Sequence, residues 1–114
     1  MESILTSIKK LLNVAEDDTS FDTDIIIHIN TYLMVLTQLG VGPEEGFMIE
    51  DDSSTWEDFV PDVVTAGAAK TYIYIRVKLV FDPPTSSAVI TAMEQNAKEL
   101  EWRLNVNHDS APKS

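Results

Sequence analysis

Hydrophobic positions recur along most of this chain at the three- and four-residue spacing of amphipathic helices. Ile4, Leu5, Ile8, Leu11 and Leu12 share a helical face, so Ser3 to Leu12 is expected to be a short helix with Ser3 as its N-cap. Lys9 and Lys10 fall in its last turn, where cations suit the negative end of the helix dipole. A second helix is expected from about Thr23 to Leu39. Ile25, Ile26, Ile29, Leu33, Leu36 and Leu39 lie on one face, and Gly40 provides the C-terminal stop. Asp22 is the expected N-cap, with Phe21 and Ile26 spaced as a hydrophobic staple.

Past Gly40 the periodicity stops. Val41 to Gly46 has turn composition, Phe47-Met48-Ile49 reads as a short extended piece, and Glu50-Asp51-Asp52-Ser53 is an acidic run, together an exposed loop. Ser54 with Glu57 three residues on forms a capping box that opens a brief helix through Trp56 and Phe59, ended by Pro61. Both aromatics are expected to pack inward.

Local rules conflict between Val63 and Asp82. Tyr72 to Leu79 alternates as a strand would, whereas the alanines of Val63 to Lys70 favour helix and no turn signal separates the two segments. A single long buried helix accounts for the whole stretch, because Tyr, Arg and Lys lay apolar stems on a core and keep polar tips wet. Asp82-Pro83-Pro84 ends it. A last helix, capped by Ser86, is expected from Ser87 to about Val106. Its apolar stripe is Val89, Met93, Ala97, Leu100 and Leu104, and Glu94 with Lys98 and Glu99 with Arg103 are spaced as i,i+4 pairs. Trp102 flanks that stripe and fits either the core edge or a neighbouring subunit. The fold class is therefore all-α, a small bundle of four to five helices with an extended loop between the second and third. It forms one domain over residues 1–106, with a flexible tail over 107–114.

Charge narrows the function classes. The 114 residues carry 19 Asp and Glu against 8 Lys and Arg, a formal charge of -11, with 44% hydrophobic residues. Such a chain can bury a core, yet repels phosphate over a Debye length of about 8–10 Å, which argues against sequence-independent binding to nucleic acid or anionic membrane. No apolar run approaches the roughly 20 residues of a membrane span, and the acidic start lacks the positive charge of a signal peptide. The expectation is a soluble protein made in the cytoplasm.

Catalytic and cofactor motifs are not evident. Cysteine is absent, which removes thiol nucleophiles and Cys-based zinc sites, and His28 and His108 complete no triad. His28 has Asp24 at i-4 and no further ligand at helical spacing. The acids from Glu16 to Asp24 lack the alternation and glycine of a calcium loop, and the glycines form neither a Walker loop nor a dinucleotide fingerprint. No catalytic residue, cofactor or metal is expected, and a binding or assembly protein fits better than an enzyme.

Several segments, in this order, are similar to one family. They are Phe21-Asp22-Thr23-Asp24-Ile25-Ile26-Ile27-His28-Ile29-Asn30, Gln38-Leu39-Gly40-Val41-Gly42-Pro43, Thr55-Trp56-Glu57-Asp58-Phe59, Lys70 to Pro84 with its Tyr-Ile-Tyr-Ile-Arg and Phe-Asp-Pro-Pro, and Glu99-Leu100-Glu101-Trp102-Arg103-Leu104-Asn105. Together they resemble the small head-tail connector proteins of long-tailed bacteriophages and prophages, over Ile4 to Asn107. The resemblance implies an all-α fold, and so a helix across Tyr72 to Leu79. It also implies a structural virion adaptor, assembled in the bacterial cytoplasm and placed at the head-tail interface. Such an adaptor forms a ring of about a dozen copies under the portal, built of heterologous contacts that close on themselves. The ring extends the DNA channel toward a stopper or tail-completion protein, and DNA passes through without specific binding. Candidate interface residues are Glu50, Asp51 and Asp52 with the Trp56 and Phe59 helix, turned to a neighbour, and Trp102 and Arg103, turned to the portal. The competing reading is a small acidic DNA mimic that inhibits a host DNA-binding protein. It expects carboxylates in a regular surface row, whereas these cluster at helix starts and one loop. A regulatory helical domain with a single partner is a third.

Overall fold

In the computed structural model, which describes residues 2–110 and side chains as far as Val106, Ser3 caps the first helix, α1 (Ile4–Leu11). Its hydroxyl accepts from the Thr6 amide at 3.2 Å. Four further helices follow: α2 (Asp22–Gln38), α3 (Trp56–Phe59), α4 (Val63–Phe81) and α5 (Ser87–Ser110). The fold is the all-α bundle expected, with the long loop between α2 and α3.

The central element is α4, which packs against all four other helices. Its position resolves the conflict in its sequence. Tyr72, Ile73, Ile75 and Val77 are all buried, because neighbours cover α4 on several sides and a one-sided stripe would not suffice. Asp62 caps its start, accepting from the Thr65 amide at 2.9 Å. Ile25, Ile29, Leu33 and Leu36 of α2 and Ile4, Leu5 and Ile8 of α1 complete the core, where full burial of one such side chain contributes about 1.5–3 kcal/mol.

The end of α2 follows from Gly40 as the sequence requires. Gly40 takes φ +92°, its amide donates to the Thr37 carbonyl at 3.0 Å, and the Val41 amide donates to the Leu36 carbonyl at 2.9 Å. These are the two bonds of a Schellman motif.

Some expectations are corrected. Asp22 is the first residue of α2 rather than its cap, and Phe21 precedes the helix without a side-chain capping bond. The Asp22 carboxylate is drawn instead to Lys9, at 2.8 Å, and Phe21 meets Phe81 edge to face with centroids 5.6 Å apart. Lys9 lies in the last turn of α1 as expected, and its side chain also takes a structural role there. It is only 2% exposed, and its ammonium donates to the carbonyls of Glu16 at 3.0 Å and Asp18 at 2.8 Å, binding the connection after α1 to the start of α2. Asp22 Oδ1 is buried with that ion pair and without a hydrogen bond.

The capping box of α3 is shifted by one residue. Thr55 accepts from the Asp58 amide at 3.3 Å and Asp58 accepts from the Thr55 amide at 2.9 Å, so Ser54 and Glu57 are not the pair. In α5 the buried stripe omits Val89, which is exposed, and rests on Ala97 and Leu104 with Met93 and Leu100 partly covered. The Glu99–Arg103 pair forms at 2.6 Å, while Lys98 takes no ion pair with Glu94. The helix also runs to Ser110, so the tail expected from Asn107 is helical for its first four residues, and 111–114 lie outside the described residues.

Candidate functional site

The acidic loop is rigidly based. Asn30 of α2 grips Ile49 with both ends of its amide, accepting from the Ile49 N–H at 2.8 Å and donating to its carbonyl at 3.0 Å. Ile49 is thereby buried, and Glu50, Asp51 and Asp52 emerge directly after it, all exposed. Ser53 donates side chain and backbone to Asp51, which holds that carboxyl below the usual range. The loop then rejoins the chain start, where the Ile4 amide donates to the Ser54 carbonyl at 2.9 Å and Ser3 bridges Thr55.

Trp56 and Phe59 secure this base from beneath. Trp56 is 5% exposed and its indole N–H donates to Ser7 Oγ at 2.9 Å, while Ser7 donates onward to the Ile4 carbonyl. Phe59 is 2% exposed, stacks at a tilt on Phe47 with centroids 5.4 Å apart, and lies against Gly42, where a Cβ would come 2.5 Å from Phe59 Cε1. Both aromatics pack inward as expected and offer no contact face of their own; of the residues assigned to that face, only Glu50, Asp51 and Asp52 are on the surface.

On α5 the reverse holds. Trp102 is 66% exposed, which excludes the core-edge alternative, and Arg103 beside it is exposed and paired with Glu99. Below them Glu101 turns inward and accepts from Tyr72 Oη and from Arg76 Nη2, each at 2.7 Å, while the Arg76 guanidinium stacks over the Tyr72 ring. This polar cluster fixes the azimuth of α5 on α4 and so aims Trp102 outward. Sequence spacing does not reveal it, since the partners are 25 and 29 residues apart.

A surface that the sequence reading passed over lies on the outer side of α2. Ile27 and Met34, both more than half exposed, and Met48 of the loop, 71% exposed, line a groove of about 610 Å³ with Thr31, Phe47 and Glu45. Exposed Ile27 and Met34 are seven residues apart on α2, a spacing visible in the sequence but eclipsed by the stronger buried face. Val63 and Val64 at the start of α4 are also exposed. Contiguous exposed apolar side chains of this kind mark interaction sites.

His28 is half-buried on α2, the His108 side chain lies outside those described, and among the described residues no group of three His, Asp or Glu is placed to hold a metal ion. Among them no helix is long and apolar enough to cross a membrane.

Comparison with known proteins places the chain. Neither the curated proteins nor the solved structures include a match. A family model described as phage connector protein matches residues 4–111, nearly the whole length and all five helices. That family is a structural one and implies a virion component. The chain belongs to the phage connector protein family, and its role is that of a structural phage connector.

Proposed function

We propose that this protein is a head-tail adaptor that forms a ring of about a dozen subunits under the portal vertex, joined by heterologous contacts. The ring extends the DNA channel toward the stopper or tail-completion protein and takes part in head completion and tail attachment. It assembles in the bacterial cytoplasm and resides at the head-tail interface of the virion. The observation that carries this reading is the family match over residues 4–111.

Physical features support it. A monomer that leaves Trp102, Ile27, Met34, Met48, Val63 and Val64 exposed has apolar surface for partners to cover. A formal charge of -11 gives a channel wall along which DNA slides without adhering. Contacts are assigned to the Glu50–Asp52 loop, held by Trp56 and Phe59 beneath it and turned to a neighbour, and to Trp102 and Arg103 on the last helix, for which the portal is the first candidate. No cofactor takes part.

Sedimentation velocity tests the reading. The chain mixed with its portal protein is expected to travel with the portal in near-equimolar amount, leaving little free monomer. A chain that sediments separately at all concentrations contradicts it.

A further inference from the structure

The groove on α2 and the exposed face of α5 match each other in spacing, character and charge. On α2 the solvent-facing positions Ile27, Thr31, Met34 and Gln38 follow the four-three-four step of a helix-packing seam. On α5 the exposed positions Ala92, Gln95, Glu99 and Trp102 follow a three-four-three step, on the side opposite Ala97 and Leu104. The first face is concave, because Phe47 and Met48 wall it on one side; the second is convex, because Trp102 stands out of it.

Charge decides between partners. The groove carries one charged side chain, Glu45, which with Glu44 before it is exposed and makes no bond among the described residues. One turn from Trp102 on α5 is Lys98, exposed and without a bonded partner among the described residues; the same holds of Lys10 on α1, whereas Lys9, Lys70, Arg76, Lys78 and Arg103 are paired internally. A free cation thus flanks the apolar knob and a free anion rims the apolar groove. Thr31 and Glu45 can also accept the indole N–H, which a buried tryptophan requires. The two surfaces occupy different helices of one subunit, so they can meet between copies, and repeated head to tail this contact builds the ring proposed above.

We infer that Trp102 of one copy inserts between Ile27, Met34 and Met48 of the next, with Lys98 facing Glu45, and that this is the subunit contact of the assembly. The inference rests on the ring reading above and replaces the portal with a second copy as the partner of Trp102. Truncating a central tryptophan anchor should raise the concentration for half-assembly about thirtyfold or more.

Because the chain has no cysteine, Arg103→Cys provides a single attachment point for a benzophenone maleimide. Labelled variant is mixed with 15N-labelled wild-type chain, with and without the portal protein, irradiated, and mapped by mass spectrometry. The expected product joins the unlabelled-isotope 103 peptide to a 15N peptide containing Met34 or Met48. Rings or portal caps in which position 103 reaches only the portal, or another part of the second copy, overturn the inference and leave the ring reading standing. Failure to assemble in any mixture overturns both. As an independent check, Glu45→Lys or Lys98→Glu alone should raise the half-assembly concentration severalfold, and the two together should restore it to within about twofold. A double variant worse than either single one contradicts the pairing.

Discussion

Tyr72 and Glu101, 29 residues apart, are joined by a 2.7 Å hydrogen bond that ties the central helix to the last one. Tyr72 is fully buried, and burial first, then its bond to the Glu101 carboxylate, raises its phenol well above the ordinary value near 10. Since the unfolded chain loses this proton before the folded one does, the contribution is intact below about pH 10 and is lost as pH rises beyond it. Denaturation midpoints should therefore fall from about pH 10 upward, and Tyr72→Phe should flatten that slope.

Glu101 also serves Arg76, whose Nε is buried without a partner. Glu101→Ala leaves two donors unanswered in a half-covered site and should cost about 2–3 kcal/mol in urea denaturation. Tyr72→Phe, which removes donor and requirement together, should cost about 1 kcal/mol.

Lys9 and Lys10 are adjacent in sequence and opposite in consequence. Lys9→Met removes the donor to two carbonyls and strands the Asp22 carboxylate, an expected loss of about 2–4 kcal/mol, whereas Lys10→Met on the surface should stay within about 0.5 kcal/mol. Chemical denaturation of both variants measures the contrast.

Two glycines should also respond with opposite sign. Gly42 holds φ +86° with Phe59 against its α-carbon, so Gly42→Ala should destabilise by about 2–3 kcal/mol. Gly67 is exposed within α4 with nothing within 4 Å of a new Cβ, so Gly67→Ala should stabilise by about 0.5–1 kcal/mol. Thermal melts of the two variants check the signs.

Trp56 and Trp102 separate folding from assembly. Trp56→Ala opens the core over Ser7 and should cost about 3–5 kcal/mol, while Trp102→Ala should leave the melting temperature nearly unchanged and raise the concentration for half-assembly about thirtyfold or more. Circular dichroism melts alongside sedimentation distinguish the two effects.

Helix spacing made α1, α2 and α5 legible, because each buries one face, α5 against α4, and α1 and α2 against α4 and each other. The strand-like run from Tyr72 to Leu79 set local rules in conflict with the helix for a physical reason: α4 is covered on several sides, so its apolar residues are not confined to the helical period. Cap identities slipped by one residue where adjacent Ser54 and Thr55 both fit, and the backbone bonds to the chain start select Thr55. Lys9, the Asn30 clamp on Ile49 and the Tyr72–Glu101 bond were invisible because each joins segments that only the folded chain brings together. At the candidate site, composition located the acidic loop and Trp102. The α2 groove escaped notice because its second wall comes from residues 45 to 48, outside the helix.

The adaptor reading meets its most direct test in negative-stain electron microscopy of the concentrated pure protein, alone and mixed with its portal. Rings with a central hole, or caps of matching symmetry on portal particles, are the predicted result. Particles that remain monomeric and leave the portal bare would contradict it, and competition against DNA for a basic host enzyme would then test the DNA-mimic alternative.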